Sequence, residues 1–315
     1  MENERRSDFC TSCRRETSYK MRKKIVPKVI KDKTYEFEIA VAVCEECGSD
    51  FMSEVLVDTH THYAHRRFDS RRDEILCGLA DNDVIAVIEG AIDFASNQKM
   101  KLLCDKYSHV FMAAGCHPNR VEEMDDEKYQ EIFELTNYDK VLAIGETGLD
   151  YAGDKSGEQI CKQKVWFRKF IELAVEKKKP LVIHCRKAYD EAINILQKYK
   201  LTECPGVIHC FSGNLEQARK LMDIGFCLGV NGMFTKMDED AELCVALKSI
   251  PLEKIVFEID SPYLIPDGVA GKRNTSKSLN VIVEKFAELR GESPEHIREV
   301  VLKNTKRLYP ELFAG

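Results

Sequence analysis

No apolar run follows Met1, where the chain opens "MENERRSD", and none of its 315 residues belongs to an uninterrupted apolar stretch of the roughly 20 residues that a bilayer-spanning helix needs. These absences argue against a secretory leader and a helical membrane protein, and the expected compartment is the cytoplasm. The cysteine arithmetic of a disulfide scaffold is missing too. The 13 cysteines are an odd number, and outside two Cys-x-x-Cys pairs they stand singly in apolar segments, as buried thiols in a reducing compartment do. Histidine is scarce, with eight in the chain. At 44% hydrophobic and 32% charged residues, the composition is that of ordinary globular material, enough for one large domain or a small and a large one.

The net charge of −6 hides an asymmetry. From Arg14 to Lys33, nine basic residues stand against two acidic ones, Glu16 and Asp32, a local charge of +7. Such a stretch is either the footprint of a nucleic acid or other acidic partner, or a solvated hairpin face. It lies between the pairs Cys10/Cys13 and Cys44/Cys47. A two-residue spacer lets both thiolates of a pair reach one tetrahedral ion, and four thiolates close a structural site, with zinc the expected metal. Between the pairs, Tyr35, Phe37, Ile39, Val41 and Val43 alternate with Thr34, Glu36, Glu38, Ala40 and Ala42, a period-two strand running into the second pair. A segment this short and this poor in apolar residues needs the ion to be stable. Residues 1–52 therefore read as a small β zinc ribbon. In its two cysteine pairs and basic hairpin it resembles the N-terminal zinc domain of MqsA/YgiT-type proteins, and it is a candidate docking surface for nucleic acid or protein.

From Ser53 onward the pattern changes. Apolar runs at residues 55–57, 84–88, 110–115, 141–145, 181–183, 206–208, 226–230 and 255–259 are separated by helix-like segments such as "EQICKQKVWFRKFIELAVEKKK". Eight strand–helix units predict an α/β fold, a (β/α)8 barrel of the TIM type over residues 53–315. His60 and His62 end the first run and share one face by strand alternation. His117 follows the third run, Glu146 the fourth, His184 the fifth, His209 the sixth and Asp260 the eighth. Any one of them alone is more simply a hydrogen-bonded strand-end residue. Five of the eight histidines at such ends, with two carboxylates, point instead to a metal pocket at the carboxyl mouth of the barrel. His65, His109 and His296 read as structural.

The ordered set "DTHTH", "GCHPN", "IGETGLDY", "VIHCRKA", "HCFSG", "EIDSPYL" and "RN" is similar to the TatD family of metal-dependent deoxyribonucleases, within the metallo-hydrolase barrels, over residues 54–315. The resemblance implies that His60, His62, Glu146, His184, His209 and Asp260 hold metal, with Glu146 bridging two ions, and that DNA is cut from its 3′ end, RNA being the alternative polymer. Two divalent ions provide a hydroxide at neutral pH and cancel charge on the phosphoryl oxygens, and zinc, manganese or magnesium suits the donors. Asp260 is the candidate to orient or deprotonate the attacking water. Arg186 and Arg273 are candidate phosphate contacts, since a guanidinium fork matches phosphate oxygens; His117 and Asn274 join them as substrate-binding candidates. Arg66, Arg67, Arg71 and Arg72 either guide a nucleic-acid backbone or form a solvated helix face. Two positions depart from the family pattern: Ile259 stands where threonine is usual, and Thr275-Ser276 where an acidic-proline pair often follows "RN". The competing readings are a C–N hydrolase of the amidohydrolase type, which commonly carries a modified lysine where Glu146 stands, and a non-catalytic nucleic-acid-binding ribbon protein, for which six convergent ligands have no use.

Overall fold

The computed structural model describes residues 6–313 except 11, 12, 14, 31, 32, 49, 52–54, 203 and 204; for 6–10, 16, 21–30, 33–42, 50 and 51 it describes the backbone alone. The expected domain junction at 52/53, Arg14, the Cys10 thiol and most side chains of the basic stretch lie outside the described residues.

Four strands, β1 (Arg6–Cys10), β2 (Arg15–Ile30), β3 (Lys33–Cys44) and β4 (Asp50–Phe51), form an antiparallel sheet in that order. β2 and β3 are a long hairpin, in register from Tyr19 opposite Cys44 to Ile30 opposite Lys33. β1 returns along the base of β2, with Cys10 opposite Arg15. The turn carrying Cys13 and the turn after Cys44 therefore meet at the end of the hairpin away from its tip. β3 is the strand expected from the alternation at 34–43.

All eight expected barrel strands are present: β5 (Leu56–Thr61), β6 (Val84–Gly90), β7 (Val110–Ala114), β8 (Val141–Asp150), β9 (Leu181–Arg186), β10 (Gly206–His209), β11 (Cys227–Val230) and β12 (Ile255–Phe257). Each pairs in parallel with its chain neighbours. The ring closes between last and first strands. There Thr61 bridges Ser261, the Thr59 hydroxyl donates to the Phe257 carbonyl at 3.0 Å, and the Asp260 amide donates to the His60 carbonyl at 3.0 Å. Around them run α1 (Arg72–Cys77), α2 (Phe94–Lys106), α3 (Asp126–Leu135), α4 (Gly157–Lys177), α5 (Tyr189–Leu196), α6 (Leu215–Ile224), α7 (Glu242–Ser249), α8 (Leu279–Arg290) and α9 (Pro294–Leu308). Among the described residues no helix is long and apolar enough to cross a membrane.

Local chemistry starts the helices where they start. α2, α4 and α6 each open on a capping box, Asp93 with Ser96, Ser156 with Gln159 and Asn214 with Gln217, which satisfies first-turn amides that have no partner within the helix. α4 then buries Trp166, Phe167, Phe170, Ile171, Leu173 and Ala174 along one side, each large side chain contributing about 1.5–3 kcal/mol.

Strand alternation sorts the core into two layers. Leu181, Ile183, Ile208, Ile255 and Phe257 pack with the helices, whereas their neighbours Val182, Val207 and Val256 form a separate cluster with Ile88, Ala113, Ala143 and Tyr309. The second cluster fills the barrel interior. A period of two then carries the inward face from Val182 to His184, from Val207 to His209, and from Val256 through Glu258 to Asp260.

Candidate metal centre at the mouth of the barrel

His60 and His62 are buried at the end of β5, held by a brace of buried carboxylates. Asp58 accepts from the Ser276 hydroxyl at 2.6 Å and the Ile259 amide at 3.0 Å, tying β5 to the chain that carries Asp260. Burial pushes the Asp58 carboxyl well above the usual range. Glu89 accepts from the Thr61 hydroxyl at 2.6 Å and from the Tyr63 and Ala64 amides at 2.8 Å each, fixing the turn after β5. Gly90 makes room for His60: a Cβ there would lie 2.4 Å from the imidazole Cε1.

Glu146 sits at the centre. Continued alternation along β8 from Ala143 would aim Gly145 inward, but the pairing of β8 with β9 shifts register between Ile144 and Thr147, the kind of irregularity that re-aims a side chain. Glu146 Oε2 lies 3.3 Å from His60 Nε2 and 3.8 Å from His62 Nε2. Its other oxygen, Oε1, lies 2.9 Å from His184 Nδ1, 3.6 Å from His117 Nε2 and 3.9 Å from His209 Nε2. The two oxygens of one carboxylate thus face two groups of imidazoles. Asp260 closes the first group, with Oδ1 3.2 Å from His62 Nε2. The His60 and His209 rings stack with centroids 3.5 Å apart.

Electrostatics and donor chemistry agree on what such a cluster requires. Burial works against the charge on Glu146, yet the nearby His117 and His60 hold its carboxyl well below the ordinary value. Burial likewise disfavours charge on His62 and His209, and is overcome: the contact with Asp260 raises His62 to about 9, and the Glu258 charge raises His209 to about 10. His60 is pushed down by burial and by His209, and burial takes His117 down to about 4. The buried carboxylates demand positive charge. His60 Nε2 and His62 Nε2 stand 3.1 Å apart, and His117 Nε2 and His184 Nδ1 3.2 Å apart. Ring nitrogens aimed at one another among carboxylate oxygens fit divalent cations. Sets with donor atoms within 4.8 Å of one another include His60/His62/Glu146, His60/His209/Asp260, Glu146/His184/His209 and His117/Asp150/His184.

The six sequence-derived ligands are therefore brought together, with His117 beside them. All of these but His60 line a cavity of about 400 Å³, with Ile92, Asn119, Arg186, Met233, Tyr263 and Leu264 among its other walls. Arg186 is exposed on that wall. Arg273 and Asn274 are placed differently. Arg273 donates to the Arg67 carbonyl, and the buried Asn274 gives its amide to the Ile259 and Leu264 carbonyls, bracing the loop after β12. Of the arginines after β5, Arg71 pairs with Glu74 and Arg72 with Asp69. His65 caps the short turn at Arg66–Phe68, His109 lies 2.9 Å from the Leu76 carbonyl, and His296 faces Glu292, all structural roles.

Sequence reasoning did not single out the groups behind the imidazoles. Glu258 is buried, with Oε1 3.0 Å from His209 Nδ1 and accepting from the Cys210 amide at 2.6 Å and Asn231 at 3.2 Å. Asp150 Oδ2 lies 3.3 Å from His184 Nε2, and the Gly90 carbonyl 2.9 Å from His62 Nδ1. Partners of this kind set ring orientation and basicity in metal-binding histidines. A signal for Glu258 was present: it is an acid inside "IVFEID", two positions from an interior valine.

In the N-terminal sheet, the thiols of Cys13, Cys44 and Cys47 lie within 4.8 Å of one another. Cys44 Sγ is 3.9 Å from Cys13 Sγ and 3.2 Å from the Thr17 hydroxyl. Burial raises the Cys44 thiol, but Thr17 and the amides of Glu46 and Cys47 bring it down to about 6. Arg15 and Glu46 form an ion pair across the two turns.

Comparison with known proteins adds four findings. The family model for TatD-related DNases matches residues 57–310. An uncharacterized metal-dependent hydrolase of Bacillus subtilis, YabD, is 33% identical over 255 residues, covering 81% of this chain and 99% of its own length. The Salmonella typhimurium 3′-5′ ssDNA/RNA exonuclease TatD is 28% identical over 263 residues, covering 82% of this chain and all of its own. Among solved structures, a TatD homologue from Escherichia coli K12 superposes with a TM-score of 0.76 at 28% identity, over 82% of this chain and 99% of the other.

Proposed function

Because the chain belongs to the TatD family of metal-dependent hydrolases, which act on phosphoester bonds, we propose that it is a two-metal nuclease cutting DNA or RNA from the 3′ end. The observation that carries this is Glu146, whose Oε2 faces His60 and His62 while Oε1 faces His184 and His209. In this reading His60, His62, Glu146 and Asp260 hold one ion, and Glu146, His184 and His209 the other. Bound ions of zinc, manganese or magnesium would supply Lewis acidity and lower the pKa of water.

The chain's own groups do the rest. Burial opposes the charge on Asp260, but His62 and His209 keep its carboxyl below the ordinary value, so at neutral pH it is an acceptor ready to orient the attacking water and take its proton. His117 stays neutral beside the cluster and can hold a phosphoryl oxygen or a leaving group. Arg186 offers a guanidinium from the cavity wall, and Arg273 with Asn274 set the loop that carries Asp260. Cavity-lining residues include no lysine, which weighs against the C–N hydrolase reading.

The domain division is residues 1–52 and 53–315. Supporting it, the family match begins at 57, after the four-stranded sheet. Convergence of Cys13, Cys44 and Cys47 supports one structural zinc closed by Cys10, and the basic hairpin is a candidate docking surface for nucleic acid or protein. A cytoplasmic location is in keeping with cysteines that, outside the two Cys-x-x-Cys pairs, stand singly in apolar segments.

The test is a metal-reconstituted panel of labelled DNA, RNA, a small phosphodiester and a cyclic amide. Phosphodiester cleavage without amide cleavage is expected, and the reverse would overturn the proposal. Glu146→Ala should abolish hydrolysis and lower bound metal with cooperative unfolding intact. Asp260→Asn should keep at least one ion and lose about 10²–10⁴-fold in rate. Full turnover by Glu146→Ala would end the two-metal reading.

A further inference from the structure

An aromatic ring left in water is unfavourable, and this chain leaves few. Among the described residues, the large apolar side chains that stay exposed are Leu102, Val165, Val175, Met237, Val245 and Tyr263, and Tyr263 is the one aromatic, with 43% of its surface accessible. Four of the others lie on outer helix faces. Tyr263 instead lines the cavity that holds the metal centre, three residues beyond Asp260.

The residue is anchored through its backbone. Its amide donates to the Asp260 carbonyl at 2.9 Å, and on either side the Pro262 and Leu264 carbonyls accept from Asn274 at 3.1 and 3.0 Å. The Arg67 guanidinium lies 5.9 Å from the ring centroid, and the His65 ring stands nearly edge-on at 6.3 Å. Arg67 is itself anchored, donating to the Lys272 carbonyl at 2.9 Å while its own carbonyl accepts from Arg273.

A half-open aromatic ring on an anchored backbone, with a cation beside it, is the arrangement by which proteins grip single strands: the base stacks on the ring and the cation follows the backbone. Three residues of chain span at most about 10 Å, comparable to the distance from a phosphate to its own base. We propose that Tyr263 is the stacking platform for the nucleobase next to the bond being cut, with Arg67 held beside it for the backbone. This rests on the nuclease reading and deepens it: the site recognises an unstacked base as well as a phosphate, so single-stranded or frayed ends enter and paired ends do not.

The experiment compares two short single strands differing only at the 3′ terminus, one carrying a base and one an abasic residue, with the full, metal-loaded chain. Wild type should cleave the base-ended strand with a KM lower by about 5- to 150-fold, the equivalent of about 1–3 kcal/mol for one stacked base. Tyr263→Ala should lose that preference and match wild type on the abasic strand, while Tyr263→Phe should retain it. Without metal, a fluorescent 2-aminopurine at the 3′ end should be quenched on binding wild type and Tyr263→Phe but not Tyr263→Ala. Equal KM values for the two strands with wild type, or equal losses on both with Tyr263→Ala, would overturn the stacking platform and leave the nuclease reading standing. Cleavage of neither strand by wild type would overturn both.

Discussion

At the scale of single residues, the centre depends on side chains that never touch a substrate. Glu258 is the clearest of them. Its Oε1 takes the Cys210 amide and Asn231 and stands 3.0 Å from His209 Nδ1, leaving His209 Nε2 toward Glu146. Gly229 leaves it space, since a Cβ there would lie 2.3 Å from Glu258 Oε2. Glu258→Gln preserves shape but removes the charge that orients the ring, and metal affinity should fall about 10- to 100-fold, read by metal titration, with the unfolding transition unchanged. Unaltered affinity would reduce Glu258 to a filler of interior space. The six clustered residues of the candidate centre were legible because polar residues at the ends of apolar runs stand out. Asp150 was not, and the spacing signal for Glu258 did not reveal its role, because a buried acid in a strand looks the same whether it serves a ligand or the backbone. Asn274, a motif residue expected at the substrate, spends its amide on the Ile259 and Leu264 carbonyls, a role in the loop that the motif alone does not announce.

At the scale of elements, the barrel strands were readable from apolar runs because buried parallel strands have little alternation to confuse them. Their exact faces were less so. The inward aim of Glu146 follows from a register shift in β8 that no local pattern announces. In the N-terminal sheet the alternation at 34–43 announced β3, but the hydrogen-bonded partner of a strand is a tertiary fact: β2, which carries much of the basic charge, contains Pro27 and no clean alternation. Cys13, Cys44 and Cys47 converge at the base of this hairpin, and if they hold the proposed zinc, Cys44→Ser should remove about one zinc per chain and leave the β2–β3 amides exchanging freely with solvent. Barrel amides should keep their protection. Hydrogen exchange with metal analysis reads both, and retained protection in a zinc-free hairpin would show that the ion is not what stabilises it.

At the scale of the whole molecule, the question is what the cysteine-bearing hairpin adds to a barrel that carries its own candidate metal cluster. Only Gly48 to Glu54 connect Cys47 to the run that opens the barrel, and seven residues reach at most about 25 Å. A barrel strand begins at the face opposite the active site. The hairpin base is therefore expected at the bottom or side of its own barrel, unable to line its own pocket unless the basic hairpin reaches up or a second chain presents it, and we propose that its basic stretch adds long-range attraction without taking part in bond breaking. Counterion release makes such attraction length- and salt-dependent, with affinity falling as salt rises. A chain beginning at Ser53 should keep its turnover on a small phosphodiester and bind long DNA more weakly, with the deficit largest at low salt and vanishing as salt screens the hairpin of the full chain. Parallel salt titrations of the two chains measure this directly. Equal DNA affinity would leave the stretch between Arg14 and Lys33 as a solvated face, and loss of small-substrate turnover in a folded truncation would mean that the ribbon helps to build the catalytic site.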